Sequence, residues 1–179
     1  MDDAPVMKQT IRKRLAGLFG LLLVFLAAAV FTACGKSESD KNVINVPPVP
    51  PASVVDLADA FSSEEEQMLL PVIGQFERSS CGEIRILTVH NTDGLPLEEF
   101  SLAIANKWEI GKGKGGGVLL LLVMDEHRNR IEVSLEWEDV LTDARCADVL
   151  KSIVPELRDG KYADACAKAV RAMEVFFPK

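Results

Sequence analysis

The order of apolar and amphipathic segments predicts an α/β domain. Its small mixed β-sheet, a βαβ unit plus an antiparallel hairpin, is sandwiched between helices in three layers, α/β/α. Three observations carry this expectation. Glu83-Ile-Arg-Ile-Leu-Thr-Val-His90 alternates and is rich in β-branched residues, as a strand does. Val118 to Met124 is continuously apolar, as a strand covered on both faces must be. Between them Leu97, Phe100, Ile104 and Trp108 fall on one face of a helix, which makes the whole a βαβ crossover of the kind that is nearly always right-handed.

The chain begins with a segment outside that plan. Lys8, Arg12, Lys13 and Arg14 precede an unbroken apolar run of 17 residues, Leu15 to Phe31, closed by Thr32-Ala33-Cys34. A basic start, a short apolar stretch and small residues read as an export leader, set apart from fold reasoning. Thr32-Ala33-Cys34 resembles the bacterial lipobox, in which the cysteine thiol receives diacylglycerol before cleavage. Residues 1–34 are therefore expected to be a lipoprotein signal ending at a lipidated Cys34. Two or more acyl chains anchor a protein stably, at about 0.8 kcal/mol per buried methylene. Gly35 stands where an aspartate would retain the protein in the inner membrane. The expected location is thus the bacterial envelope, on the periplasmic side and at the outer membrane.

Residues 35–53 are polar and then proline-rich, Val46-Pro-Pro-Val-Pro-Pro-Ala-Ser53. Prolines favour an extended, semi-rigid backbone, so this segment is expected to be a spacer. About 126 residues remain from Val54, enough for one domain, 54–179, with a single core. Removing the four basic and two acidic residues of the leader takes the formal charge from −7 to about −9. So acidic a surface repels polyanions and excludes nucleic acid as the expected partner. Cys146 and Cys166 sit too far apart along their helices for a disulfide, so any internal bond involves Cys81; otherwise all three are buried free thiols.

Within the domain, Ser62-Ser63-Glu-Glu-Glu66 supplies an N-cap hydroxyl and first-turn carboxylates, starting a helix at about Ser63 that runs to Arg78. Pro71 removes a backbone donor inside it, so a kink or break is expected there. After the strand and the second helix, Gly111 to Gly117 reads as a mobile loop. Asp125-Glu-His-Arg-Asn129 forms a turn and Arg130 to Leu135 returns antiparallel. Thr142 to Leu157, interrupted by Pro155, and Tyr162 to Phe177 are helical, separated by Asp159-Gly160.

Several chemistries are excluded by context. Gly111-Lys-Gly-Lys-Gly-Gly116 fits G-x-G-x-x-G in letters only. A dinucleotide fingerprint follows a strand and opens a helix, whereas these glycines follow a helix and open a strand, so no nucleotide is expected. Two histidines, His90 and His127, with no H-E-x-x-H or C-x-x-C give zinc no ligand set. There is no G-x-S-x-G elbow for a serine hydrolase.

The words in register are Val55-Asp56-Leu-Ala58, Trp108-x-Ile-Gly111, Gly117-Val-Leu-Leu-Leu, Arg130-Ile-Glu-Val133, Val140-Leu-Thr-Asp-Ala144 and Arg158-Asp-Gly-Lys-Tyr162. Together, from about Val54 to Met173, they resemble the TPM domain family, extracytoplasmic α/β domains with a small sheet between helices. The resemblance implies that Asp56 joins Glu132 and Asp143 at one end of the sheet. The three carboxylates would there hold a hard cation, Ca2+ or Mg2+. It also implies the weak acid phosphatase activity associated with some members, for which such a metal polarises phosphoryl oxygens. Taken alone, Asp143 reads as a helix cap and Asp56 as a turn residue.

This chain departs from the family pattern where catalysis would sit. Gly116 replaces a polar residue, Ser134-Leu135-Glu136-Trp137 replaces Gly-Tyr-Gly, and Lys161 replaces an acid before Tyr162. Trp137 offers a large amphipathic surface suited to an interface. The expected function is a membrane-tethered, non-catalytic accessory module that binds an envelope protein, with Trp137 at the contact. The alternative is a divalent-metal-dependent phosphatase.

Overall fold

The computed structural model describes residues 47–178. The leader, Cys34 and residues 35–46 of the proline-rich segment lie outside the described residues. The elements run β1 (Val54–Asp56), α1 (Ser63–Ser80), β2 (Glu83–Val89), α2 (Leu97–Lys107), β3 (Gly117–Val123), β4 (Arg128–Val133), a 3-10 turn (Leu135–Trp137), α3 (Asp143–Ser152), α4 (Val154–Arg158) and α5 (Tyr162–Glu174). The four strands form one sheet in the order β1-β2-β3-β4. The first three are parallel, and β4 returns antiparallel beside β3.

The sheet separates two apolar layers. Ile84, Ile86, Val118, Leu120 and Ile131 face α1, α3 and α5, whose Leu69, Phe76, Val149 and Met173 close one core. Leu87, Leu119, Leu121 and Val123 face α2, which covers them with Leu97, Phe100, Ile104 and Trp108. All seven residues of β3 are buried, and this two-sided cover is why its sequence is apolar without alternation. The fold is the three-layer α/β/α sandwich that the sequence predicts. Both crossovers step the same way across the sheet yet lie on opposite faces, so they have opposite hands. One of the two is therefore left-handed, an exception to the usual rule.

The helix ends follow local chemistry. Ser62 Oγ accepts the Glu65 N–H at 3.2 Å and Glu65 Oε2 accepts the Ser62 N–H at 2.8 Å, a closed capping box. Of the kink or break expected at Pro71, the break does not occur: α1 continues through it. Pro71 and Gln67, whose carbonyl loses its donor, are both exposed, so water can replace the missing bond. The last helical region divides at Ile153, and Pro155 falls in the first turn of α4, where a missing N–H is harmless.

Strand β1 is absent from the sequence reading, since three residues are too few for alternation to register. It is held by its neighbour, Val54 to Asp56 pairing with Ile86 to Thr88. The segment before it is also tied down. Trp108 Nε1–H donates to the Pro47 carbonyl at 3.0 Å, Arg85 donates to Ala52 O at 2.5 Å, and the Ile86 N–H donates to Ser53 O at 2.9 Å.

The three described cysteines are free. Cys146 and Cys166 are buried, but Cys81 is exposed, because it caps α1 in a left-handed conformation (φ 56°). Burial pushes the Cys146 thiol up to about 11 and the Cys166 thiol up to about 12. Both stay protonated at neutral pH and are poor nucleophiles. Alkylation of the native protein at pH 8 followed by peptide mapping is expected to label Cys81 and to spare Cys146 and Cys166 until denaturant is added.

Candidate functional site

The end of the sheet where β2 and β3 begin gathers the glycine segment, the 3-10 turn and the start of β2. Glu83, the first residue of β2, is buried and organises it. Its carboxylate accepts the Gly111 N–H at 3.1 Å and pairs with Arg85 at 2.5 Å and Lys114 at 3.2 Å. Its own N–H donates to Gly116 O at 3.1 Å. On the other side, Ser134 Oγ accepts the Gly117 N–H at 2.9 Å, and the Ser134 N–H donates to Gly117 O at 2.9 Å. The glycine segment expected to be mobile is therefore pinned at both ends. Burial works against the Glu83 charge, but the Gly111 N–H, Arg85 and Lys114 outweigh it and hold the carboxyl below its ordinary value.

Trp137 departs most from expectation. The sequence places it on an interface, yet it is only 4% exposed. Its ring meets Phe177 edge-on at 4.7 Å between centroids and Phe76 at 5.9 Å. A Cβ on Gly82 or on Gly116 would run into the indole, and Gly116 adopts φ +138°, where side chains are strained. Gly116 and Trp137 thus fit each other. The large side chain fills the space that the glycines leave, and it serves the core rather than a partner.

The three carboxylates read as a cation site do not meet. Asp56 pairs in register with Thr88, five residues along β2 from Glu83, roughly 16 Å at strand spacing. Its carboxylate accepts the N–H groups of Ala60 at 3.0 Å and Phe61 at 2.8 Å and the Thr88 hydroxyl. It closes the β1–α1 turn. Glu132 lies beside Leu119 and turns toward α2, accepting from the Ser101 hydroxyl at 2.7 Å and Arg130 at 2.9 Å. Asp143 is exposed in the first turn of α3, on the opposite face, where its charge suits the helix dipole and Thr142 supplies the cap. Among the described residues no group of three or more His, Cys, Asp or Glu side chains is arranged to hold a metal ion. The residues present do not fit the calcium or magnesium that the family resemblance implies. Strand register is the reason: it sends Asp56 to the far end of the sheet and Glu132 to the other face.

What the site does offer is a cleft of about 370 Å³ between α2 and the 3-10 turn. Leu102, Asn106 and Ile110 form one wall, and Glu132, Leu135 and Glu136 the other. Leu135 is 81% exposed and Leu102 50%. The Glu136 carboxyl is held below its ordinary value by its own backbone N–H and by the Ser134 side chain, so it is charged at neutral pH. Apolar lips with acidic flanks suit a segment that carries apolar and basic side chains. Sequence reasoning missed Leu135. Nothing in the word Ser134-Leu135-Glu136-Trp137 distinguishes which of its two large apolar side chains is buried, and the structure buries the indole and exposes the leucine.

Comparison with known proteins agrees with the fold and with the family resemblance. A family model described as the TPM domain matches residues 54–175. The N-terminal domain of a P. gingivalis protein, solved by solution NMR, is 28% identical, with a TM-score of 0.62, covering 69% of this chain and 80% of that one. The N-terminal domain of a Corynebacterium glutamicum protein is 16% identical (TM-score 0.58; 75% and 85% covered). A protein from the psychrophilic bacterium Bizionia argentinensis is 21% identical (TM-score 0.55; 66% and 84% covered). The last two are similar in fold alone. No curated protein matches the chain.

Two outcomes follow from the pinned loop. Trp137→Ala is expected to destabilise the domain by about 3 to 5 kcal/mol and Gly82→Ala by about 1 to 3 kcal/mol. The double variant should lose less than the sum, because removing the indole relieves that part of the clash and leaves only the Gly116 carbonyl, 2.5 Å from the added methyl; urea unfolding of the four proteins measures this coupling. Glu83→Gln is expected to cost about 2 kcal/mol at pH 7. The folded-state pKa of Glu83 is depressed, so its contribution is complete above the ordinary value of 4.5 and disappears as pH falls through the lower folded value. The difference between wild type and Glu83→Gln should therefore shrink in the same titration taken to acid pH.

Proposed function

This chain belongs to the TPM domain family, and from that premise we propose that it is a membrane-tethered, non-catalytic binding module of the bacterial envelope. A lipid on Cys34 anchors it, on the periplasmic side and at the outer membrane. The module docks an envelope protein and contributes to its assembly or maintenance. The basic and apolar leader, the small residues before Cys34 and the Gly35 that follows support the anchor and its location. Residues 54–179 form the binding domain, and the proline-rich residues 35–53 lead to it.

The observation that carries the reading is Leu135. A large apolar side chain is held 81% exposed on a turn that is fixed from below by Trp137. It faces Leu102 across an acidic cleft. Exposed apolar side chains on a pinned turn are arranged before the partner arrives, so little ordering entropy opposes docking. The partner segment carries apolar residues for Leu102 and Leu135 and a basic residue opposite Glu136.

The competing reading is a phosphatase dependent on calcium or magnesium. It needs Asp56, Glu132 and Asp143 on one cation, and their positions do not meet that need. A photo-crosslinking residue at Leu135 in the native envelope is expected to trap a discrete partner, and one at the equally exposed Val175 is not. With the crosslinker at position 135, Leu102→Asp across the cleft should abolish the adduct with little effect on Tm, because that side chain is half-exposed. Equal trapping at both positions, or phosphomonoester turnover by the purified protein that EDTA abolishes, sinks the proposal.

A further inference from the structure

At the opposite end of the sheet lies a cavity of about 470 Å³ between the β3–β4 hairpin and the α4–α5 turn. Its floor is apolar, with Leu122 from β3, Met124 beyond it, and Val154 and Leu157 from α4. Its rim is of another kind. Arg128, His127 and Asn129 come from the hairpin, and Arg158 and Tyr162 from either side of the Asp159-Gly160 turn. No carboxylate lines it, in a chain whose formal charge is −7.

The rim groups are uncommitted. Among the described residues, the side chains of Arg158, Tyr162, Asn129 and His127 take part in no hydrogen bond or ion pair. Charged neighbours that could have neutralised Arg158 are engaged elsewhere: Asp159 pairs with Lys161 at 3.2 Å and Glu156 with Lys168 at 2.8 Å. Arg128 has one partner, Glu126 at 3.2 Å. The other oxygen of Glu126 is taken by the Thr92 N–H at 2.9 Å, so the contact steadies Arg128 while leaving most of its donors open. The Arg158 guanidinium, a phenol, an amide and an imidazole thus line an apolar floor, while Arg128, paired with Val123, leaves its strand on the α2 side and stands at the edge. Guanidinium groups bind oxyanions through paired N–H donors in a fixed fork, and an apolar floor with few polar rim groups is how small-molecule sites are built.

We propose that this cavity binds a small organic anion, its oxyanion held by Arg158 with Tyr162 and Asn129 donating, and its apolar body resting on Leu122, Met124 and Leu157. The inference goes beyond the acidic cleft and is independent of it, since the two lie at opposite ends of the strands. It also gives the word Arg158-Asp-Gly-Lys-Tyr162 a physical role: the tight turn at Gly160 (φ +73°) sets the arginine and the tyrosine four residues apart on one rim.

Tyr162 is the chain's one tyrosine, so its ring gives a unique NMR reporter. Phenylphosphonate and benzoate, added to the full chain in micelles, are expected to shift that signal saturably, and benzyl alcohol is not. Arg158→Gln, at an exposed position that leaves the core intact, should weaken the phenylphosphonate effect by about tenfold or more. Leu135→Asp should leave it unchanged, which separates this site from the partner cleft. Displacement by phosphatidylglycerol vesicles but not by phosphatidylcholine vesicles assigns the anion to a lipid headgroup, and lack of displacement assigns it to a soluble acid; either supports the site. Absence of a shift, or a shift that Arg158→Gln leaves untouched, overturns it.

Discussion

The indole of Trp137, seated on Gly82 and Gly116, is the contact through which the parts of this domain meet. It joins the 3-10 turn after β4, the entry to β2, the end of the glycine segment and, through Phe177, the C-terminal residues. Each of these has its backbone committed elsewhere: Glu83 N–H to Gly116, Gly111 N–H to the Glu83 carboxylate, Gly117 to Ser134. A side chain on either glycine would lift the ring and break the agreement between sheet end and helical layer. Packing at interior density leaves no slack for such a change.

This constraint explains why the presented surface is Leu135 and not its aromatic neighbour. In a 3-10 turn successive side chains diverge by about a third of a turn, so burying Trp137 turns Leu135 outward. The same pinned turn brings Glu136 beside the cleft. The family departures at Gly116 and at Ser134 to Trp137 are therefore one structural change: a large ring enters where small residues retreat. The cleft that results has apolar lips and acidic flanks, and the carboxylates of Asp56, Glu132 and Asp143 are each spent locally. Asp56 holds a turn, Glu132 bridges to α2, and Asp143 sits at a helix start.

The sheet divides the molecule's chemistry as well as its core. Its strand-start end is acidic and apolar, and its strand-exit end, under the β3–β4 hairpin, is rimmed by arginines. Because β3 is buried on both faces, neither end can be reached through the centre. A binding event at one end has no water-filled path to the other. The two proposed sites are thus separable by substitution.

Sequence alone determined what depends on near neighbours: the strand Glu83–Val89, the buried run of β3, the Ser62–Glu65 cap, the division near Pro155 and the three-layer class. Local periodicity and capping are properties of a few consecutive residues, and they are legible without a fold. The six words in register likewise identified the family. Tertiary structure alone decided the rest. Strand β1 exists because β2 offers it a partner, the opposite hands of the crossovers come from which face each helix covers, and Pro71 is harmless because its side of α1 meets water. The roles of Asp56, Glu132 and Trp137 belong to this second kind. A carboxylate or an indole acquires its function from what long-range register places beside it, and that contact is not written in the residues that flank it.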